Sequence, residues 1–194
     1  GGEDRQRERE MDVRRLQGEL RTAQKYAVDS EVQLFLAAEE ELHHWKGLIR
    51  GPPESPYQDH LFTLDIQVNS SYPIQAPKVR FDTRVFHPNV HFKSGEICLD
   101  ILGENWSPSW SLESVCRGII SLLSQPEASS PLNCDAGNMV RAGDLRAFHS
   151  MARMYAQLFA TPVRSLSGGD HKEVQGSGSA SASSSFSLSA SRRG

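Results

Sequence analysis

The sequence predicts an α+β domain in which a four-stranded antiparallel meander is flanked along the chain by helices. Three observations carry this. Short apolar runs of strand period recur between residues 32 and 81, Gly- and Pro-rich turns separate them, and the stretches before and after switch to the helical period.

Residues 1–10 mix both charges and bury nothing, so they read as a solvated extension or a continuation of the helix that follows. In that helix Val13, Leu16, Leu20, Ala23 and Ala27 share one face, with Asp12 as the expected N-cap and Arg14 and Arg15 off the stripe. Val32, Leu34 and Leu36 mark the first strand, and Glu39-Glu40-Glu41 a turn. Residues 42–50 form the second strand, stopped by Gly51-Pro52-Pro53. Phe62, Leu64, Ile66 and Val68 alternate with Thr63, Asp65 and Gln67, the pattern of a strand with one buried face. Val79 to Phe81 gives a short fourth strand. Leu112, Val115, Cys116, Ile119, Ile120, Leu122 and Leu123 form the strongest helical stripe, with Ser111 as N-cap and Pro126 as its close. A last amphipathic helix starts at Asp144, carries Leu145, Phe148, Met151, Ala152, Tyr155, Leu158 and Phe159, and ends at Thr161-Pro162. Residues 163–194 turn to Ser, Gly and Ala and are expected to be a disordered tail, leaving 11–162 as the core domain.

Composition narrows the function classes. A formal charge of −3 gives no basis for a nucleic-acid partner, and no apolar run approaches the roughly 20 residues of a membrane span. No signal-peptide pattern opens the chain. It begins at Gly1, which suits a fragment or processed form with Met11 as an internal start. Three scattered cysteines, Cys98, Cys116 and Cys134, argue for a reducing compartment and against both a disulfide framework and a zinc site. Neighbouring His43 and His44 would point to opposite faces of a strand, so no metal site is expected there. Cys116 lies on the apolar stripe and reads as structural. Cys134 stays open between an inert and a redox-sensitive thiol.

Cys98 is different. Ile97, Leu99, Ile101 and Leu102 crowd it, which alone would make it a small core hydrophobe. Yet Pro88, Asn89, Lys93, Ser94 and Gly95 precede it, a turn-rich run of the kind that lies at the surface and carries function. A thiol on the rim of such a loop, backed by an apolar wall, is placed to act as a nucleophile.

The blocks His87-Pro88-Asn89, Gly95-Glu-Ile-Cys-Leu-Asp-Ile-Leu102 and Trp106-Ser-Pro108 resemble, in order and spacing, the active-site region of ubiquitin-conjugating enzymes. Gly51-Pro-Pro, Tyr72-Pro73-Ile-Gln-Ala-Pro77-Lys78 and Ser130-Pro-Leu-Asn133 match further landmarks, so the resemblance covers about residues 12 to 160. It implies the UBC fold and acyl transfer without a cofactor. Cys98 would take ubiquitin as a thioester from the activating enzyme and pass it on with a RING-type ligase. A thiolate is nucleophilic and its thioester is itself activated, so no Ser-His-Asp relay is needed. The resemblance makes Asn89 an oxyanion donor, a loop support, or both, and His87 a structural support for the loop. It assigns Arg14 and Arg15 to docking the activating enzyme and ligase, against the plainer reading of a solvated helix face. Ile74, Ser107, Pro108 and Ser109 complete the ligase-facing surface.

Three departures from the family pattern stand out. The gap from Asn89 to Cys98 is one residue longer than in many relatives, and Ala76 replaces the first proline of Pro-Pro-Lys. Ser130 stands where many members have an aspartate that helps orient and deprotonate an acceptor lysine. A hydroxyl is a poor base, which favours an acceptor thiol unless a partner desolvates the amine. With His91-Phe-Lys-Ser-Gly-Glu96, Trp110 and Asn138-Met-Val-Arg-Ala-Gly-Asp144, this resembles the peroxisomal, peroxin-type branch, which modifies a cysteine of the matrix-protein import receptor for its recycling. That implies a cytoplasmic enzyme recruited to the peroxisomal membrane by an anchoring peroxin. The alternatives are a general cytosolic ubiquitin-conjugating enzyme and, from another class, a non-catalytic ubiquitin-binding variant.

Overall fold

The computed structural model describes residues 2–25 and 31–163. Helix α1 (Gly2–Lys25) leads into strands β1 (Val32–Leu36), β2 (His44–Arg50), β3 (His60–Gln67) and β4 (Lys78–Phe81). A 3-10 turn (Asp100–Leu102), α2 (Leu112–Ser124), α3 (Cys134–Arg141), α4 (Leu145–Phe159) and a two-residue strand β5 (Thr161–Pro162) follow. The sheet order is β1-β2-β3-β4, every pair antiparallel, with registers Leu34↔Gly47, Gly47↔Leu64 and Ile66↔Val79. This is the predicted α+β meander.

The alternation that predicted the strands also sorts their faces. Val32, Leu34, Trp45, Ile49, Phe62, Leu64, Ile66, Val79 and Phe81 are buried. Helix α2 lies across them through Leu112, Val115, Cys116, Ile119 and Leu123, all buried. A Cβ added at Gly47 would stand 3.5 Å from the Cys116 Sγ, so the helix rests close on the sheet at that point. Each such apolar side chain contributes roughly 1.5–3 kcal/mol on burial, whereas an exposed pair such as Arg117–Glu113 contributes about 0–1. Packing therefore decides where α2 sits. Its start is fixed by the Ser111 side chain accepting from the Ser114 N–H, a capping box in which Ser114 answers the Ser111 N–H.

Several expectations change. Asp12 does not cap α1. The Arg-, Gln- and Glu-rich residues before it contain no breaker after Gly2, so the helix continues through them. Asp12 instead is buried, with its Oδ2 3.0 Å from His43 Nε2. Strand β2 starts at His44 and not at 42, because Leu42 belongs to the turn, its carbonyl accepting from the Trp45 indole N–H at 2.7 Å. Thr161-Pro162 does end α4, but the chain then returns to the sheet, Leu61 pairing with Thr161. Helix α3 stands where no helical run was predicted. Ala27 and the expected tail beyond Val163 lie outside the described residues.

Candidate active site

Cys98 lies between two stretches of backbone. On one side its N–H donates to the Asn89 carbonyl at 2.9 Å, and Val90 and Ile97 form a bridge. On the other, Arg80 of β4 bridges Glu96, and the Phe81 N–H donates to the Gly95 carbonyl at 2.9 Å. Between them residues 91–95 fold back, the Gly95 N–H donating to the His91 carbonyl at 3.0 Å. His91 Nδ1 accepts from the Ser94 N–H at 3.1 Å. The extra residue is thus absorbed at the hairpin tip, and the Asn89–Cys98 bond stays closed. Gly95 makes this possible. Its φ is +74°, and a Cβ there would stand 2.0 Å from the Phe81 carbonyl oxygen.

The thiol of Cys98 is exposed. It opens on a groove of about 520 Å³ whose lining includes Lys78, Arg80, Glu96, Leu102 and Leu132. Of the other thiols, Cys116 is buried and its pKa is pushed up to about 12 by that burial, with Glu113 adding to it. Cys134 is exposed, but it opens α3 and lines a separate groove with Phe92, Met151 and Tyr155.

Asn89 is buried, and its amide forms a two-way clasp. Nδ2 donates to the Glu127 carbonyl and Oδ1 accepts from the Glu127 N–H, both at 2.9 Å. Pro88 reinforces it, its carbonyl accepting from Leu132 at 2.8 Å and Asn133 at 3.1 Å. Residues 127–133 are thereby held against the His-Pro-Asn turn. Ser130 is exposed on that loop, two residues before Leu132, the member that reaches the Cys98 groove.

His87 is fully buried between the rings of Tyr57 and Phe148. Burial pulls its pKa down to about 4, an effect the Leu122 backbone only partly offsets. Its Nδ1 accepts from the Asn89 N–H at 3.1 Å, so in the neutral ring the proton sits on Nε2. Such an imidazole shapes the turn and is closed to solvent. His43 and His44 pair separately, with Asp12 and Asp65, and among the described residues no three His, Cys, Asp or Glu side chains are grouped to hold a metal ion.

This geometry has relatives. Residues 15–156 match the family model described as ubiquitin-conjugating enzyme. The chain belongs to the ubiquitin-conjugating enzyme family. It is 52% identical over 151 residues to Protein PEROXIN-4 of Arabidopsis thaliana, covering 77% of this chain and 96% of that one. It is 53% identical over 129 residues to ubiquitin-conjugating enzyme E2 pex4 of Dictyostelium discoideum, covering 66% and 87%. Among solved structures it superposes on Pex4p of H. polymorpha, crystallised with the soluble domain of Pex22p. There the TM-score is 0.73 and the identity 32%, over 77% of this chain and 98% of that one. It is a ubiquitin-conjugating enzyme of the Pex4 type.

A second part of this ubiquitin-conjugating enzyme, away from the thiol, is knitted by side chains. Arg15 was expected to face partners. Its guanidinium instead reaches across the chain, NH2 to the Trp110 carbonyl at 2.7 Å and NH1 to the Pro108 carbonyl at 3.2 Å, while Nε donates to Glu19 at 2.7 Å. The Glu19 carboxylate also accepts from the Tyr72 hydroxyl and, at 2.7 Å, from the Leu112 N–H that opens α2. The Trp106 indole N–H donates to the Pro73 carbonyl at 3.0 Å. These bonds tie α1 to the loops 72–77 and 106–111. Ile74 projects from the first loop at 57% exposure, and Pro108 and Ser109 are exposed on the second, with Ser107 half-buried. Arg14 is exposed. Glu19, Tyr72 and Gly95 escaped sequence reasoning. The Arg15–Glu19 spacing of four was the one local sign of the pair.

Proposed function

We propose that Cys98 accepts ubiquitin as a thioester from the activating enzyme and passes it, with a RING-type ligase, to the peroxisomal import receptor. One observation carries this reading: of the three thiols, Cys98 alone is exposed at the mouth of a groove with its backbone locked against the Asn89 turn. In the first step the Cys98 thiolate attacks the activating enzyme's thioester carbonyl. A C–S bond forms, the tetrahedral oxyanion collapses, and the donor thiolate leaves. In the second step the acceptor attacks the same carbonyl and the Cys98 thiolate leaves.

Asn89 serves first as loop support, because both ends of its amide are engaged by Glu127. The second Nδ2 hydrogen remains for the oxyanion, where one lost donor can cost about 10²–10³ in rate. His87 supports the turn and is no general base. Ser130 gates the acceptor: it provides no carboxylate for an incoming ammonium, so a thiol is the favoured nucleophile. Arg15 serves docking indirectly, by fixing the loops that bear Ile74, Ser107, Pro108 and Ser109, while Arg14 contacts partners itself. The Pex4-type relatives support the peroxisomal role. The H. polymorpha complex supports an anchoring peroxin as a further partner, holding a cytoplasmic enzyme at the membrane.

The test is to charge the purified chain with ubiquitin, activating enzyme and ATP, and then offer free cysteine or free lysine. Cysteine should discharge the thioester faster, and Ser130→Asp should raise discharge to lysine while leaving cysteine nearly unchanged. No gain with lysine would remove Ser130 as the determinant of acceptor choice.

A further inference from the structure

We propose that Lys78 is a self-modification site, to which the acyl group on Cys98 passes within the same molecule when no other acceptor arrives. The inference rests on the thioester reading above and adds an acceptor to it.

Register carries the argument. The Phe81–Gly95 bond and the Arg80–Glu96 bridge set β4 antiparallel to the stretch that leads to Cys98. Counting on in that register places Val79 across from Ile97 and Lys78 across from Cys98. The faces agree as well: Lys78, Arg80, Glu96 and Cys98 are exposed, while Val79 is buried and Ile97 half-buried. Strand alternation therefore puts Lys78 and Cys98 on one face, and both line the same groove. In a paired ladder opposite Cβ atoms stand about 5 Å apart. Here the pairing stops at Arg80–Glu96, so the two chains part, leaving room for a thioester-linked glycine that the four-carbon stem of lysine can approach.

The other lysines are placed less well. Lys46 is held by Asp65 at 2.8 Å and Asp82 at 2.6 Å. Lys93 lies in the hairpin tip, on the far side of Gly95 from Cys98. Lys78 has no hydrogen-bond or ion-pair partner among the described residues, so nothing must be broken for it to turn toward the thioester.

The chemistry balances without a further reagent. The Lys78 ammonium gives its proton to solvent and the amine attacks the ubiquitin carbonyl. The C–N bond forms, the C–S bond breaks, and Cys98 leaves as thiolate. A lysine of ordinary basicity is a poor acceptor at neutral pH, but intramolecular placement offsets this, since well-oriented neighbours reach effective concentrations of about 10⁵ M and above. The product is self-limiting, because ubiquitin on Lys78 stands in the groove through which Cys98 is reached.

The experiment is to charge the full chain with ubiquitin, activating enzyme and ATP, omit other acceptors, reduce, digest with trypsin, and locate the Gly-Gly remnant by mass spectrometry. Remnant at Lys78 should exceed that at Lys93 by about tenfold or more. Its fraction should be independent of enzyme concentration, and it should be absent in Lys78→Arg when normalised to thioester formed. A thioester that forms but leaves the remnant elsewhere, leaves none, or transfers faster at higher enzyme concentration overturns the proposal. A chain that forms no thioester at all overturns the function reading, and this inference with it.

Discussion

Around residues 106–112 long side chains of α1 cross over and grip backbone: Arg15 holds two carbonyls, and Glu19 holds the first N–H of α2 together with the Tyr72 hydroxyl. Around Cys98 the gripping is backbone to backbone, through Asn89–Cys98, Gly95–Phe81 and the Pro88 carbonyl, with the Asn89 amide as the one side-chain clasp. The first arrangement leaves a firm platform with a few projecting groups, Ile74 foremost. The second leaves the reacting side chain itself free of partners. A docking face gains from being preset, since ordering loops on binding costs affinity. A thiol that must receive and release a protein-sized acyl group gains from an open approach.

The comparison can be broken from either side. Gly95→Ala should have the largest effect. Its Cβ would meet the Phe81 carbonyl and its φ is left-handed, so the hairpin must leave β4. A misplacement of ~1 Å at a reacting group can cost about a hundredfold, and the charging rate should fall on that scale. Next is Glu19→Ala, which strands Arg15, the Tyr72 hydroxyl and the Leu112 N–H. Chemical denaturation should show a loss of about 4 kcal/mol, and hydrogen exchange should speed up in residues 106–112 before residues 95–98. Equal acceleration in both regions would mean they are not built independently.

His87 gives a pH signature. Its folded pKa of about 4 lies below the unfolded value near 6.5, so the unfolded chain binds the extra proton between them. Stability is therefore full above about 6.5, falls as the pH drops toward 4 by up to about 3 kcal/mol, and changes no further on this account below 4. His87→Asn should flatten that window, and an unchanged slope would assign it to other groups. Asp65 acts lower. Burial pushes its carboxyl up, but Lys46, His44 and Arg80 outweigh this and hold it well below the usual carboxylate range. Its contribution is lost only as the pH falls below about 4. The smallest effect belongs to Tyr72→Phe, which removes one hydroxyl from Glu19 and should cost about 1 kcal/mol without altering charging.

What could be read from the sequence follows from the range of each interaction. The strands were legible because one buried face imposes alternation, as in Phe62, Leu64 and Ile66, and α2 because five buried positions repeat along thirteen residues. Cys98, Asn89 and His87 were legible because three short blocks keep their spacing. Helix α3 was not, since eight residues with Gly137 in their midst give too few turns for a period to emerge. The Arg15 clamp was not, since the carbonyls it holds lie 93 and 95 residues away. Gly95 looked like an ordinary turn glycine until β4 was seen beside it.

The central claim, that Cys98 carries the acyl group, is tested most directly by the intact mass of the chain after reaction with ubiquitin, activating enzyme and ATP. The wild type should gain one ubiquitin that a thiol reductant removes. Cys98→Ser should gain one that survives the reductant, Cys98→Ala none, and Cys116→Ser and Cys134→Ser should behave as wild type. A reductant-sensitive ubiquitin on Cys98→Ala would contradict the account.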